Sequence, residues 1–146
     1  MRKILIIEDN FMIEDMVEDV LLENGHEVCG IAPTVSKGLA LCEKHRPDLL
    51  LVDLRLSHGE LGTELAAKLF PFGKLAILYV TGNKYQVELS STDGHGCLSK
   101  PFVPDVLLRC IEIVSDIAEG IEAKHPFPPG FHVLPPPAFS HPAMAS

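Results

Sequence analysis

The sequence predicts an α/β domain built on a doubly wound parallel sheet, and three observations carry that prediction. Runs dense in Ile, Val and Leu recur five times at strand length, separated by segments whose apolar residues fall at helical spacing. The strand-length runs are apolar on both faces, as strands covered on both sides require, and show no one-sided alternation. A length of 146 residues with 47% hydrophobic and 22% charged residues suits one domain with an appendage.

The elements come in order. "KILII" at 3–7 is the first strand, and Met12, Met16 and Val20 with Val17 and Leu21 mark a helix that Gly25 stops. "EVCGIA" at 27–32 is the second strand; Thr34 caps a helix through Val35, Leu39 and Cys42 that Pro47 ends. "LLLVD" at 49–53 is the third, followed by helical spacing at Leu61, Leu65 and Leu69. "LAILYV" at 75–80 is the fourth, followed by a short helix at 84–91, "KYQVELSS". "GCLS" at 96–99 is the fifth, and Val106, Cys110, Ile113 and Ile117 set the last helix. Right-handed crossovers then favour the flavodoxin-like strand order 2-1-3-4-5 with helices on both faces.

The domain is expected to span 1–124. Residues 125–146 hold seven of the twelve prolines, which discourages hydrogen-bonded structure and predicts a disordered tail. Phe127, Phe131, Val133, Leu134 and Phe139 leave a second reading open, in which the tail docks on its own domain or on a partner. A net charge of -8 without any basic run argues against a nucleic-acid surface. Cys29, Cys42, Cys97 and Cys110 have no CxxC spacing and lie in apolar stretches, as buried thiols in a reducing compartment do. The N-terminal apolar run is too short for a secretory signal and nothing reaches membrane-spanning length, so a cytoplasmic location is expected.

The residues just beyond each strand carry the chemistry. In an open parallel sheet, ligands sit beyond the carboxyl ends of the strands. The first run ends in Glu8 and Asp9, the third in Asp53, the fourth in Thr81 and Gly82, and the fifth in Lys100 and Pro101. Singly, each has an ordinary explanation: helix-dipole acids, a turn residue, turn chemistry at 81–83, a solvated lysine. Together, three acids, a hydroxyl and an amine delivered to one edge predict a shared site. Carboxylates about 5 Å apart repel by roughly 3 kcal/mol per pair at an effective dielectric near 20, so convergence calls for a cation. Oxygen ligands suit Mg²⁺ or Mn²⁺. A divalent ion, the Lys100 ammonium and the Thr81 hydroxyl around Asp53 are the parts of a phosphoryl-transfer site whose carboxylate is the nucleophile.

The chain resembles the receiver domain of two-component response regulators, through "IIEDN", "LLLVDLRL", "YVTGN" and "LSKPF" in order between residue 3 and about 120. That resemblance implies Asp53 as phosphoacceptor, Asp9 as a direct metal ligand, Glu8 as one through water, and the backbone carbonyl of Arg55 as another. It implies Thr81 as the switch hydroxyl, Lys100 as its partner on the phosphoryl oxygens, and a cis Lys100–Pro101 bond. The implied partners are a sensor histidine kinase and a downstream target or phosphotransfer protein; a homodimer is compatible with it. The implied protein is not an enzyme on a separate substrate but a signalling protein that assists its own phosphorylation and dephosphorylation. With no output domain visible after residue 124, a single-domain response regulator is expected.

The pattern departs from the family at Cys97, where most receivers carry an aromatic residue; Tyr85 is the nearest substitute, and otherwise simply covers the fourth helix. The TGN turn with Tyr85 behind it is similar, more weakly, to alphaproteobacterial receivers that serve HWE-type histidine kinases. Arg55 and Asn83 stand where the family tunes water attack on the acyl phosphate. His58 beside Gly59 reads as an ordinary loop residue. The partner surface implied lies on the segment after Thr81, the fifth strand and the last helix, with Leu107, Leu108 and the tail as contributors. Two other readings remain: a degenerate receiver that acts unphosphorylated as an interaction module, and an aspartate-nucleophile phosphohydrolase. The hydrolase would place a second acid where Arg55 stands, and the degenerate form would not retain Asp53, Thr81 and Lys100.

Overall fold

In the computed structural model, residues 2–56, 60–69, 74–82 and 89–137 are described. Their elements are β1 (Lys3–Ile7), α1 (Phe11–Glu23), β2 (Glu27–Ala32), α2 (Val35–His45), β3 (Leu49–Asp53), α3 (Thr63–Leu69), β4 (Ala76–Thr81), β5 (Gly96–Ser99), α4 (Pro104–Ala118) and β6 (Phe131–Val133). The sheet runs β2-β1-β3-β4-β5-β6. Its first five strands are parallel, in the order expected, and β6 adds an antiparallel edge to β5.

Side chains alternate across the sheet and so build two cores. On one face Ile4, Ile6, Leu49, Leu51, Leu78 and Val80 meet Val17 and Leu21 of α1 and Leu107, Cys110, Ile111 and Val114 of α4. On the other, Leu5, Ile7, Leu50, Val52, Ile77 and Tyr79 meet Val35 and Cys42 of α2 and Leu65 and Ala66 of α3. β3 and β4 are buried at every position, and truncating one such Leu or Ile to Ala costs about 2–5 kcal/mol.

Local signals place the helices. The Asn10 side chain accepts the Met12 and Ile13 N–H groups at the start of α1, and Gly25 turns the chain out of it at φ 84. Thr34 caps α2 through the Lys37 N–H. That helix ends at Arg46 in the left-handed region (φ 50), one residue before Pro47. Pro104 opens α4 where no backbone donor is needed.

Four sequence expectations change. The fourth strand begins and ends one residue later than expected. The short helix at 84–91 falls mostly on residues outside those described, and 91–93 form a turn in which Asp93 accepts the Ser90 N–H. Leu107 is 1% exposed in the core and Leu108 half-buried, so Leu107 faces α4's own sheet and offers nothing to a partner. The fourth concerns the proline-rich stretch, for which disorder as far as residue 146 was expected and docking on its own domain or on a partner was left open. Its described part packs on its own domain: Phe127 and Val133 join buried Phe131 in one core, and Leu134 joins the other. Gly96 makes room, since a Cβ there would meet the Phe131 ring at 2.6 Å. Burial of these apolar groups offsets the ordering that proline-rich composition opposes. Phe139 lies outside the described residues.

Cys42, Cys97 and Cys110 are buried and Cys29 half-buried, all as free thiols. Burial pushes Cys42 and Cys97 up to about 11 and Cys110 to about 12, so they pack as apolar groups. Among the described residues no helix is long and apolar enough to cross a membrane.

Candidate functional site

Parallel register brings four strand ends together. Ile7 pairs Val52, Asp53 pairs Val80, and Thr81 pairs Ser99, so Glu8, Asp53, Thr81 and Lys100 emerge at one edge. Backbone bonds hold the tips: Glu8 N–H to the Ala32 carbonyl (3.0 Å), Leu54 N–H to Val80 (2.9 Å), and Lys100 N–H to Thr81 (2.8 Å). The Lys100–Pro101 peptide is cis.

Glu8, Asp53 and Thr81 are buried at 3%, 8% and 4% exposure, while Asp9 is exposed. One carboxylate oxygen from each of Glu8, Asp9 and Asp53 lies within 4.8 Å of the others. Lys100 Nζ stands 3.4 Å from Asp53 Oδ2 and 3.5 Å from Glu8 Oε1, facing two acids with one charge. Asp53 Oδ1 accepts the Arg55 N–H at 3.1 Å, and Glu8 Oε2 the Asn10 N–H at 3.2 Å.

The crowding shows in Glu8. Burial first, then hydrogen bonding to Asp53 and the negative charge of Asp53, raise its pKa to about 7; Lys100 and the Asn10 N–H pull the other way. Burial and the neighbouring acid thus outweigh the single Lys100 ammonium beside it. Three oxygen donors that converge while under-compensated fit a hard divalent cation with room left for water.

The structure therefore brings Glu8, Asp9, Asp53, Thr81 and Lys100 to one edge. Arg55 follows Asp53 on the loop, bridged to Leu61, with an exposed side chain. Pro101 is exposed beyond Lys100. Cys97 is buried on β5 in the core shared with Tyr79, on the face opposite α4. Asn83, Tyr85 and His58 lie outside the described residues.

Two contributors have no chemical signal in the sequence. Gly62 passes so close to the end of β3 that a Cβ would meet the Asp53 carbonyl oxygen and Val52 at 2.5 Å, while its N–H bonds the Leu54 carbonyl. Tyr79, fully buried two residues before Thr81, donates its hydroxyl to the Asp93 carbonyl at 2.7 Å and ties β4 to the turn before β5. The only trace of Gly62 is a glycine in a loop, and of Tyr79 a polar tip in an apolar run.

An acidic triad and a lysine at the carboxyl edge of a doubly wound sheet are the parts of a receiver-type signalling module. The chain belongs to the response regulator receiver domain family, whose model matches residues 4–112. Receivers bind Mg²⁺ in an acidic pocket, and Glu8, Asp9 and Asp53 fit it.

Among relatives, the transcriptional regulatory protein PdtaR of Mycobacterium tuberculosis is 28% identical over 116 residues, covering 77% of this chain and 56% of PdtaR. The response regulator PhyR from Brucella abortus superposes at a TM-score of 0.72 with 28% identity, over 82% of this chain and 49% of PhyR. A CheY-like receiver from Methanospirillum hungatei superposes at 0.68 with 30% identity, over 82% of this chain and 98% of its own. The chain thus spans about half the length of PdtaR and PhyR.

Proposed function

We propose that this receiver takes a phosphoryl group from the phosphohistidine of a sensor kinase onto Asp53, in a Mg²⁺- or Mn²⁺-dependent reaction, and signals through phosphorylation-dependent protein contact or onward relay. The observation that carries the reading is the convergence of Glu8, Asp9 and Asp53 within 4.8 Å, with Lys100 on Asp53 at 3.4 Å.

In this reading the residues divide the work. Asp53 Oδ2 attacks phosphorus, the P–N bond to the kinase imidazole breaks, and the imidazole leaves with its electron pair and takes up a proton. Asp53 Oδ1 stays on the Arg55 N–H, which aims the other oxygen outward. Lys100 and the Thr81 hydroxyl stabilise charge on the phosphoryl oxygens. Glu8, Asp9, Asp53 and the Arg55 carbonyl would hold the ion, with Asp9 as a direct ligand and Glu8 as one through water. When bound, a divalent ion would supply the positive charge that the acids lack and that the transferring phosphoryl oxygens need. Arg55 and Asn83 set the phosphoryl lifetime, and Tyr85 takes the switch role left open by Cys97.

Residues 1–124 are proposed as the receiver and 125–146 as an appended segment, acting in the cytoplasm on a protein rather than on nucleic acid. The net charge of -8 supports a protein partner. PdtaR is by its name a transcriptional regulator, and this chain matches about half of it.

Incubation with acetyl phosphate or phosphoramidate and Mg²⁺, followed by intact-mass measurement, is expected to show one PO₃ added to wild type, none in Asp53→Ala and none in chelator. A protein that stays unmodified would instead be the degenerate interaction module.

A further inference from the structure

A four-residue strand on a sheet edge is weakly held by itself. β5 (Gly96–Ser99) is such a strand, and Lys100 comes directly after it. Its outer side is closed by the chain's own residues 130–135. The Ser99 N–H donates to the Gly130 carbonyl at 2.9 Å, the Leu134 N–H to His95 at 3.1 Å, and the Ser91 N–H to Pro135 at 2.8 Å. The first bond lies one residue before Lys100; the last lies in the connection that leaves Thr81.

Side chains grip both faces of the same edge. Phe131 lies over Gly96 beside Val114, with Phe127 edge-on to it at 5.5 Å, while Leu134 crosses to the face of Tyr79 and Cys97. Arg109 Nη2 donates to the Lys124 carbonyl at 3.2 Å and anchors the approach along α4. Pro135, Pro136 and Pro137 come next, without any N–H. The segment is a strap of three paired residues, held by burial of three or four side chains and displaceable as a unit.

We propose that this strap is coupled to the phosphoacceptor: it docks while Asp53 is unmodified and loosens when Asp53 carries a phosphoryl group. The coupling rests on the proposed phosphoacceptor role of Asp53. A phosphoryl group on Asp53 brings a dianion against Lys100 Nζ, which now stands 3.4 Å from Asp53 and 3.5 Å from Glu8. Lys100 and Thr81 are tied through their backbones, the Lys100 N–H being bonded to the Thr81 carbonyl at 2.8 Å, so a shift at one is passed to the other. That shift reaches the end of β5 and the connection after β4, the two places where the strap is bonded. Linkage makes the effect reciprocal, so a weakened strap eases phosphorylation.

Amide hydrogen exchange on the full chain tests this, with Mg²⁺ alone and with Mg²⁺ plus phosphoramidate, the extent of modification being read by intact mass. Phosphorylation is expected to speed exchange at Ser91, Ser99 and Leu134 about tenfold, within the usual range of coupling, and to leave Leu5 and Leu50 unchanged. A mass gain with unchanged or slower exchange at those three amides overturns the strap and leaves the phosphoacceptor standing. No mass gain removes the phosphoacceptor reading, and the coupling with it. A full-length Phe131→Ala protein, checked for fold by circular dichroism, is expected to phosphorylate severalfold faster; an unchanged rate in a folded variant also overturns the proposal, and the wild-type exchange decides if the variant does not fold.

Discussion

Replacing Asp53 by asparagine removes one negative charge from the acid cluster yet keeps a carbonyl oxygen for the Arg55 N–H, now bonded at 3.1 Å. In the metal-free protein at about pH 8, Asp53 has carboxylate oxygens of Glu8 and Asp9 within 4.8 Å. At an effective dielectric near 20, each pair at that distance repels by about 3.5 kcal/mol, whereas Lys100 at 3.4 Å attracts by about 5 kcal/mol. Repulsion thus exceeds attraction by about 2 kcal/mol, less after screening at exposed Asp9 and at Lys100, whose side chain is 21% exposed. Asp53→Asn is therefore expected to be more stable in chelator by about 1–2 kcal/mol, raising Tm by about 2–4 °C per kcal/mol for a chain of this size. Thermal unfolding followed by circular dichroism, with and without Mg²⁺, measures it. Added Mg²⁺ should stabilise wild type more than the variant, because the variant has lost a ligand charge. A lower Tm for Asp53→Asn in chelator would show that pairing with Lys100 outweighs the crowding, and would refute the reasoning.

Gly62→Ala is expected to destabilise by about 1–3 kcal/mol and to slow phosphorylation, since its Cβ would push on the Asp53 carbonyl and Val52 at 2.5 Å; urea unfolding and intact mass read the two effects. Asn10→Ala removes the acceptor at the start of α1 and should lower stability by about 1 kcal/mol in the same urea assay, without abolishing Asp53 modification. His95 has its pKa lowered by burial and accepts the Ile77 N–H at Nδ1. A lowered folded value means that its contribution is complete above 6.5 and is lost as pH falls from there toward the folded pKa. His95→Asn keeps an acceptor that does not titrate, so the loss of urea midpoint between about pH 7.5 and about pH 5 should be smaller than in wild type.

How much of the molecule was legible in the chain differs from element to element. β1, β2, β3 and β5 have the bounds read from the sequence, because β-branched and Leu-rich runs meet turn residues at both ends. β4 shifts by one residue toward Thr81, where pairing with Ser99 extends the ladder past the apolar run. Glu8, Asp9, Asp53, Thr81 and Lys100 were legible as a set because parallel strands deliver their carboxyl ends to one edge whatever the loops do.

By itself, then, the sequence determined the alternation of strands and helices, their order in the sheet, and which charged residues stand at its carboxyl edge, because each depends on local periodicity and on a topology with few alternatives. Only the tertiary structure decided the burial that raises Glu8 toward neutrality, the contact that admits no side chain at Gly62, and the sixth strand. Each of these rests on groups far apart in the chain. Local composition around Phe131 argues against a strand, and it forms because β5 offers unpaired backbone and Gly96 leaves space for a ring, which no window of neighbouring residues contains.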